Sequence, residues 1–324
     1  MKSQKEIFDR IFILKGFNTK SEMHNYLADA FCASVPAVAK WCNGYTTINY
    51  ETLRQIVNHF ELSPADLFNE NEYWTLFNFK KIDMKDISTY RTYMESFRNI
   101  LAYAVDAPDV QIFFHADEIP IFHFMHYTKL TYLKLYAYAY DKDKLDITYE
   151  EFCNNLSTYE LEPVFHAIAN YYSRIPSIEI WDDQVIDNVL FQIKHFEILN
   201  RFSDPLSKQI LLDELMDLIN SFKLTATNGE KSTSKRFDFF RKPAPLRKGY
   251  MILQANNQKT LSLKIDTINS MTSNRSNAVN FFYNSFRATM DKSTALGIGA
   301  EGDRVRYFRR LIDKINTAYL NNKQ

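Results

Sequence analysis

Only seven glycines and nine prolines punctuate a chain of 324 residues. These residues break helices and supply most tight turns, and glycine-rich loops that cradle phosphates need them in number. A chain so poor in them is expected to run in long uninterrupted elements. Its 26 phenylalanines and 20 tyrosines provide the apolar surface to pack such elements together. The expected fold class is therefore mainly α. At this length, about twice a domain of ~100–200 residues, the chain is expected to divide into parts.

The 39 basic and 39 acidic side chains cancel, which excludes a protein that holds polyanions by bulk charge. Any nucleic-acid site must be local. The three cysteines, Cys32, Cys42 and Cys153, form no CxxC pair and no even-numbered framework, so buried thiols in a reducing compartment are expected. No basic start leads into an apolar core of the kind that directs secretion, and no run of ~18 apolar residues offers a membrane span. A cytoplasmic location without membrane contact is the expectation.

The opening reads as five short helices with marked ends. Ser3 with Glu6, and Thr19 with Glu22, have capping-box spacing. Ile7, Phe8, Ile11 and Leu14 recur at helical intervals before Gly16, and Met23, Leu27, Ala30 and Phe31 define a second inward face that ends near Cys32. Ser34 can cap a third helix through Val38 and Trp41, stopped at Asn43-Gly44. A fourth carries Leu53, Ile56, Val57 and Phe60. A fifth starts at Ser63-Pro64, with Asp66 at the capping-box position and Leu67 and Phe68 inward.

Two helices on so short a turn, braced by three more, have the geometry that sets one helix in a DNA major groove. The residues Leu27-Ala28, Phe31, Ser34, Val38, Lys40, Trp41, Asn43 and Gly44, then Glu51-Thr52-Leu53 and Leu62 to Leu67, resemble the lambda-repressor-like (XRE-type) helix-turn-helix family, without a gap from Ser21 to Phe68. The resemblance implies a DNA-binding transcription regulator acting on double-stranded DNA. It places His24, Ser34, Val35, Ala37, Lys40, Asn43, Tyr45, Thr46 and Thr47 at the DNA. Val35 and Ala37 suit thymine methyls, and Lys40, Asn43, Tyr45, Thr46 and Thr47 suit phosphates. Two departures stand out: His24, Val35, Pro36 and Ala37 replace the polar base readers common in the family, and Cys32 replaces the glycine of the turn. Residues 1–72 also carry seven basic against nine acidic side chains, a net charge of −2. Phosphate neutralisation dominates DNA affinity, so a homodimer or a basic surface elsewhere is expected to assist.

After residue 73 the helical pattern continues with heavy aromatic loading. Helices are expected over Tyr90–Val105, Leu130–Tyr140, Glu160–Ser173 and Asp182–Phe202, with Asp182-Asp183 as a helix-start charge, and one more from Asp204-Pro205 through Phe222. Val110 to Phe114 fits a buried strand or a helix equally. Thr225–Lys235, rich in small polar residues, has the composition of a linker or a surface loop. Beyond it Tyr250, Ile252 and Gln254 alternate, Asn256-Asn257 offers a turn, and Leu261, Leu263 and Ile265 alternate again, the pattern of a β-hairpin. The expected organisation is a five-helix DNA-binding domain at 1–72, an aromatic-rich helical domain at 73–228 and a small basic α+β unit at 229–324. In 229–264 nine basic side chains face two acidic ones, a net charge of +7, and Arg241, Lys242, Arg247 and Lys248 are candidates for phosphate contact.

Arg236-Phe237-Asp238, Asp117 to His123 and Gly299 to Phe308 resemble a group of bacterial helix-turn-helix proteins with a large uncharacterised carboxyl-terminal region. His115, Asp117, Glu118, His123 and His126 are the densest set of metal-ligating types, but Pro120 and apolar neighbours interrupt it, and no metal or cofactor is expected. Gly297-x-Gly299-x-x-Gly302 has dinucleotide-loop spacing after a helical rather than a strand pattern. No catalytic constellation emerges, so an enzyme is not expected. The alternative to a regulator is a scaffold or antitoxin-like partner that docks protein through the same module. The aromatic body, far larger than a DNA module needs for stability, is expected to mediate dimerisation and to receive a small-molecule or protein effector.

Overall fold

The structure, a computed structural model, describes residues 4–60, 62, 75–83, 85–143, 145–266 and 268–320. The chain divides into two compact units, Met1–Leu76 and Phe77–Gln324.

The first unit contains α1 (Gln4–Leu14), α2 (Lys20–Ala30), α3 (Val35–Cys42) and α4 (Tyr50–His59). Side-chain caps fix three starts. The backbone N–H of Glu22 donates to Thr19 Oγ1 at 3.1 Å, that of Ala37 to Ser34 Oγ at 3.4 Å, and that of Thr52 to Asn49 Oδ1 at 2.8 Å. Ile7, Phe8 and Ile11 of α1 meet Met23 and Leu27 of α2, Val38 and Cys42 of α3, and Ile56 of α4 in one core. The fifth helix expected from Ser63-Pro64 lies outside the described residues.

The second unit corrects the expected fold class. It is not a helical domain followed by a small α+β unit but one α/β body around an eight-stranded mixed sheet. Its elements are β1 (Asn78–Phe79), α5 (Ile87–Ala104), β2 (Gln111–Ala116), α6 (Ile121–Phe124), α7 (Thr128–Asp143), α8 (Tyr149–Ser157), α9 (Leu161–Ser173), β3 (Ser177–Asp182), α10 (Asp187–Ile198), α11 (Ser207–Asn228), β4 (Phe237–Lys242), β5 (Tyr250–Ala255), β6 (Gln258–Lys264), β7 (Ser270–Ser273), α12 (Ser276–Asp291), β8 (Thr294–Ala295) and α13 (Glu301–Leu320). The sheet order is β1-β7-β6-β5-β2-β3-β4-β8, with β2, β3 and β4 parallel and every other pairing antiparallel.

Parallel strands covered on both faces lack the polar alternation that marks a half-exposed strand, and short apolar runs read equally as helix. Ile112, Ala116, Trp181, Phe237, Phe239, Met251 and Leu253 pack on one face with residues of α5, α7, α9, α11 and α13. Phe113, Ile180, Tyr250, Ile252 and Leu261 pack on the other face with Ala278, Val279 and Phe286 of α12. The chain is poor in glycine because helices make the connections between the parallel strands, so few tight turns are needed.

Two local expectations change with the fold. The helix expected from Asp182 begins only at Asp187, and Asp182 closes β3. Its carboxylate accepts the backbone N–H groups of Gln184 at 2.8 Å and Leu246 at 2.6 Å. Thr225–Lys235 is not a linker between domains; its second half is a mostly exposed surface loop between α11 and β4, inside one unit. The segment holds the end of α11, a left-handed cap at Gly229 (φ 66°), and Lys231, whose buried ammonium donates to the carbonyls of Tyr172 at 2.9 Å and Ile175 at 2.7 Å. The β5–β6 turn places Asn256 and Asn257 both left-handed, at φ 52° and 60°, as a hairpin with the sheet's right-handed twist requires. Asp109 accepts both of their N–H groups, at 2.7 and 2.8 Å.

Candidate functional site

In the amino-terminal unit the residues implied by the resemblance fall into three places. Ser34 caps α3, and Val35, Ala37, Lys40 and Asn43 lie along that helix or at its end. Val35 and Lys40 are exposed, and Ala37 is half-buried. Tyr45, Thr46 and Thr47 occupy the loop after α3, with Tyr45 82% exposed. His24 stands apart on α2, half-buried, its Nε2 inside the fold without a hydrogen-bond partner among the described residues; burial, then the Lys20 charge, lowers its pKa. The four-residue connection between α2 and α3 turns at Cys32, which is left-handed at φ 50°.

Sequence reasoning missed what holds this surface. The Gln4 side-chain amide donates to the carbonyls of Trp41 and Thr46, both at 2.8 Å, and its carbonyl accepts the Ile48 N–H at 3.0 Å. One polar residue of α1 thus clamps the whole loop that carries Tyr45, Thr46 and Thr47. Lys5 lies beside Gly44 and is exposed. Among the described residues neither Lys5 nor Lys40 makes an ion pair, whereas Lys20 binds Asp9 at 2.8 Å and Arg54 binds Glu51 at 2.6 Å. Spacing carried no signal for Gln4, because its partners lie 37 to 44 residues away.

In the body, most of the basic segment is engaged internally. Lys231 is buried, Arg236 pairs with Asp238 at 2.9 Å, and Lys259 lies 3.8 Å from the centre of the Tyr283 ring. Arg241 grips Asp183 with two bonds of 2.6 and 2.5 Å. Of the four candidates for phosphate contact, Arg247 and Lys248 are exposed and Lys242 is half-buried. The metal-ligating types disperse as well. His115 stacks on Tyr250 with ring centres 4.6 Å apart, and its Nδ1 bonds the Lys248 carbonyl at 2.8 Å, while His123 meets the buried Glu179 at 3.2 Å. Among the described residues no group of three or more such side chains is placed to hold a metal. The 297–302 glycines follow β8 and run into α13, whose first turn carries Glu301 and Asp303, a sign that opposes a phosphate.

A charged site does form where β2 ends. In neighbouring strands Ala116, Gly249 and Lys264 come level, so Asp117 and Glu118 meet Lys264 across the sheet and Lys134 from α7. Lys264 Nζ lies 2.7 Å from Asp117 and 3.5 Å from Glu118. The buried Lys134 ammonium binds Glu118 and donates to Gln192 Oε1 at 3.0 Å, and Asn188 Nδ2 donates to Glu118 at 2.8 Å. Burial raises the Glu118 pKa, but the two ammoniums and these donors outweigh it and hold it below the usual range, so the carboxylate is ionised. A Cβ at Gly249 would collide with the Asp117 carboxylate, so a side chain there would force that carboxylate to shift. Beside the charges opens a cavity of about 100 Å³. Tyr90, Tyr93, Met94 and Phe97 of α5 form one wall, and Phe114, Met251 and Ser262 of the sheet form the facing one.

Compared with protein-family models, curated proteins and solved structures, the chain matches none. Function rests on these sites alone. Among the described residues no helix is long and apolar enough to cross a membrane.

Proposed function

We propose that this chain is a DNA-binding transcription regulator in which α3 enters the major groove of double-stranded DNA. One observation carries the reading: an exposed α3 face with Val35 and Lys40 continues into Tyr45, Thr46 and Thr47 on a loop anchored by Gln4. Apolar contacts from Val35 suit thymine methyls, and Lys5, Lys40 and the loop hydroxyls suit phosphates. Lys5 enters only through its place beside Gly44.

The net charge of −2 over 1–72 sets the affinity. Few phosphates are neutralised by one module, so the regulator acts as a homodimer whose second module binds at high effective concentration. Phe191 and Ile198, 66% and 65% exposed on α10, give the body an apolar surface for self-association. The body receives the signal, and no cofactor is required.

A mobility-shift assay on DNA upstream of the protein's own gene, at low salt, tests the reading. Retardation by the wild type and its loss in Lys40→Glu is the expected result. Absence of any retarded fragment refutes DNA binding. Unchanged retardation in Lys40→Glu, with loss of a co-purifying protein, instead assigns the α3 face to protein docking.

A further inference from the structure

The order of the sheet reverses at β2. The parallel strands β3 and β4 follow on one side of it, and the chain then returns to lay β5, β6 and β7 on the other. In open α/β sheets ligands bind in the crevice outside the carboxyl ends of the strands at such a reversal. The cavity beside the charge cluster occupies that place: its lining comes from the segment that leaves β2, the start of β5, the end of β6 and the start of β7, and α5 covers it.

Its walls are apolar and braced by rings. Tyr90, Tyr93, Met94 and Phe97 recur at helical spacing on α5, so the helix turns one apolar face to the cavity. Phe122 stacks on Phe97 with ring centres 5.4 Å apart and meets Phe114 edge-on at 6.1 Å. Met94 and Met251 bring two thioethers, which make favourable contacts with aromatic rings. The charged groups of the lining are already matched. Lys134 binds Glu118, Lys264 binds Asp117 at 2.7 Å, and Asp266 accepts the N–H groups of Ile268 and Asn269 and faces Lys142 at 3.9 Å. Three carboxylates meet three ammoniums, so a charged ligand would give up its hydration here without gaining a free counter-ion, whereas an uncharged ring gives up little.

We propose that this cavity binds a small uncharged molecule built on one aromatic ring. The ring lies between the α5 wall and Phe114, in reach of the edges and faces of the lining rings. A void of about 100 Å³ is of the order of the ~150 Å³ apolar cavity that admits benzene, which limits the ligand to one ring with a short substituent. The proposal gives the signal-receiving body a ligand class, but it stands on the body alone and holds whether or not the amino-terminal unit binds DNA.

Isothermal titration of the full chain, without DNA and at neutral pH, with three probes of one size and different charge decides it: benzyl alcohol, benzylamine and benzoate. Saturable 1:1 binding of benzyl alcohol, at least tenfold tighter than that of either charged probe, is the expected result. Ser262→Leu, which fills the void from the sheet side, should abolish this binding while far-UV circular dichroism stays that of the wild type. The milder Ser262→Val, which a strand accepts readily, should weaken it at least threefold and serves if the leucine variant does not fold. Undetectable binding of benzyl alcohol, binding of benzylamine or benzoate to within tenfold of it, or an affinity unmoved in a folded Ser262 variant would each overturn the proposal.

Discussion

Replacing Lys134 by Met separates a buried charge from its partner while keeping the length of the side chain. Lys134 is 1% exposed and Glu118 is 7% exposed, so neither is repaid by water once the other is gone. Removing one member of a buried pair costs about 3–5 kcal/mol, and the lower end applies because Asn188 at 2.8 Å and Lys264 at 3.5 Å still face Glu118. For a body of this size about 3 kcal/mol corresponds to a fall of roughly 6–12 °C in melting temperature. Glu118→Gln alone strands the ammonium instead and should cost a similar amount. The double variant Glu118→Gln/Lys134→Met removes both charges and should lose only about 1 kcal/mol, far from the sum of the singles. Urea unfolding at pH 7.5 measures this, followed by the fluorescence of the fully buried Trp181 in a background with Trp41→Phe and Trp74→Phe. A Lys134→Met loss below about 1 kcal/mol, or a double variant as unstable as the sum, would refute the claim that this pair is ionised and buried together.

Cys32→Gly should stabilise the amino-terminal unit by up to about 1 kcal/mol, since a left-handed L-residue costs ~1–2 kcal/mol and glycine returns part of the gain as backbone entropy; thermal melts show it. Gln4→Ala removes three hydrogen bonds and should cost about 1–3 kcal/mol, and under the proposed function it weakens DNA retardation without altering α3. Burial lowers the Lys231 pKa to about 7, against ~10.4 for a lysine in the unfolded chain. The unfolded chain therefore binds more protons between those values, and stability should rise as pH increases from 7 to 9. Urea midpoints across that range check the slope, and Lys231→Met should flatten it; a wild-type midpoint that falls with pH over this window contradicts the assignment.

Local chemistry in the sequence determined the short-range features of this protein. The caps at Thr19 and Ser34, the core spacing of Ile7, Phe8, Ile11, Met23, Leu27 and Val38, and the left-handed pair Asn256-Asn257 all act within a few residues of themselves, where pattern and propensity suffice. What only the tertiary structure decided is the sheet and everything assembled on it. Ile112–Phe114, Ile178–Trp181 and Phe237–Phe240 become strands because neighbours on both faces bury them and distant strands satisfy their backbone groups, and neither condition is visible along the chain. The same holds for chemistry. Asp117, Glu118, Lys134, Asn188 and Lys264 are scattered over nearly 150 residues of ordinary surface-type side chains, and become a buried charge cluster only because the register of β2, β5 and β6 brings Ala116, Gly249 and Lys264 level. Pairwise attraction between charges this far apart in sequence depends on loop closure that the whole fold provides, so no local signal could have announced it.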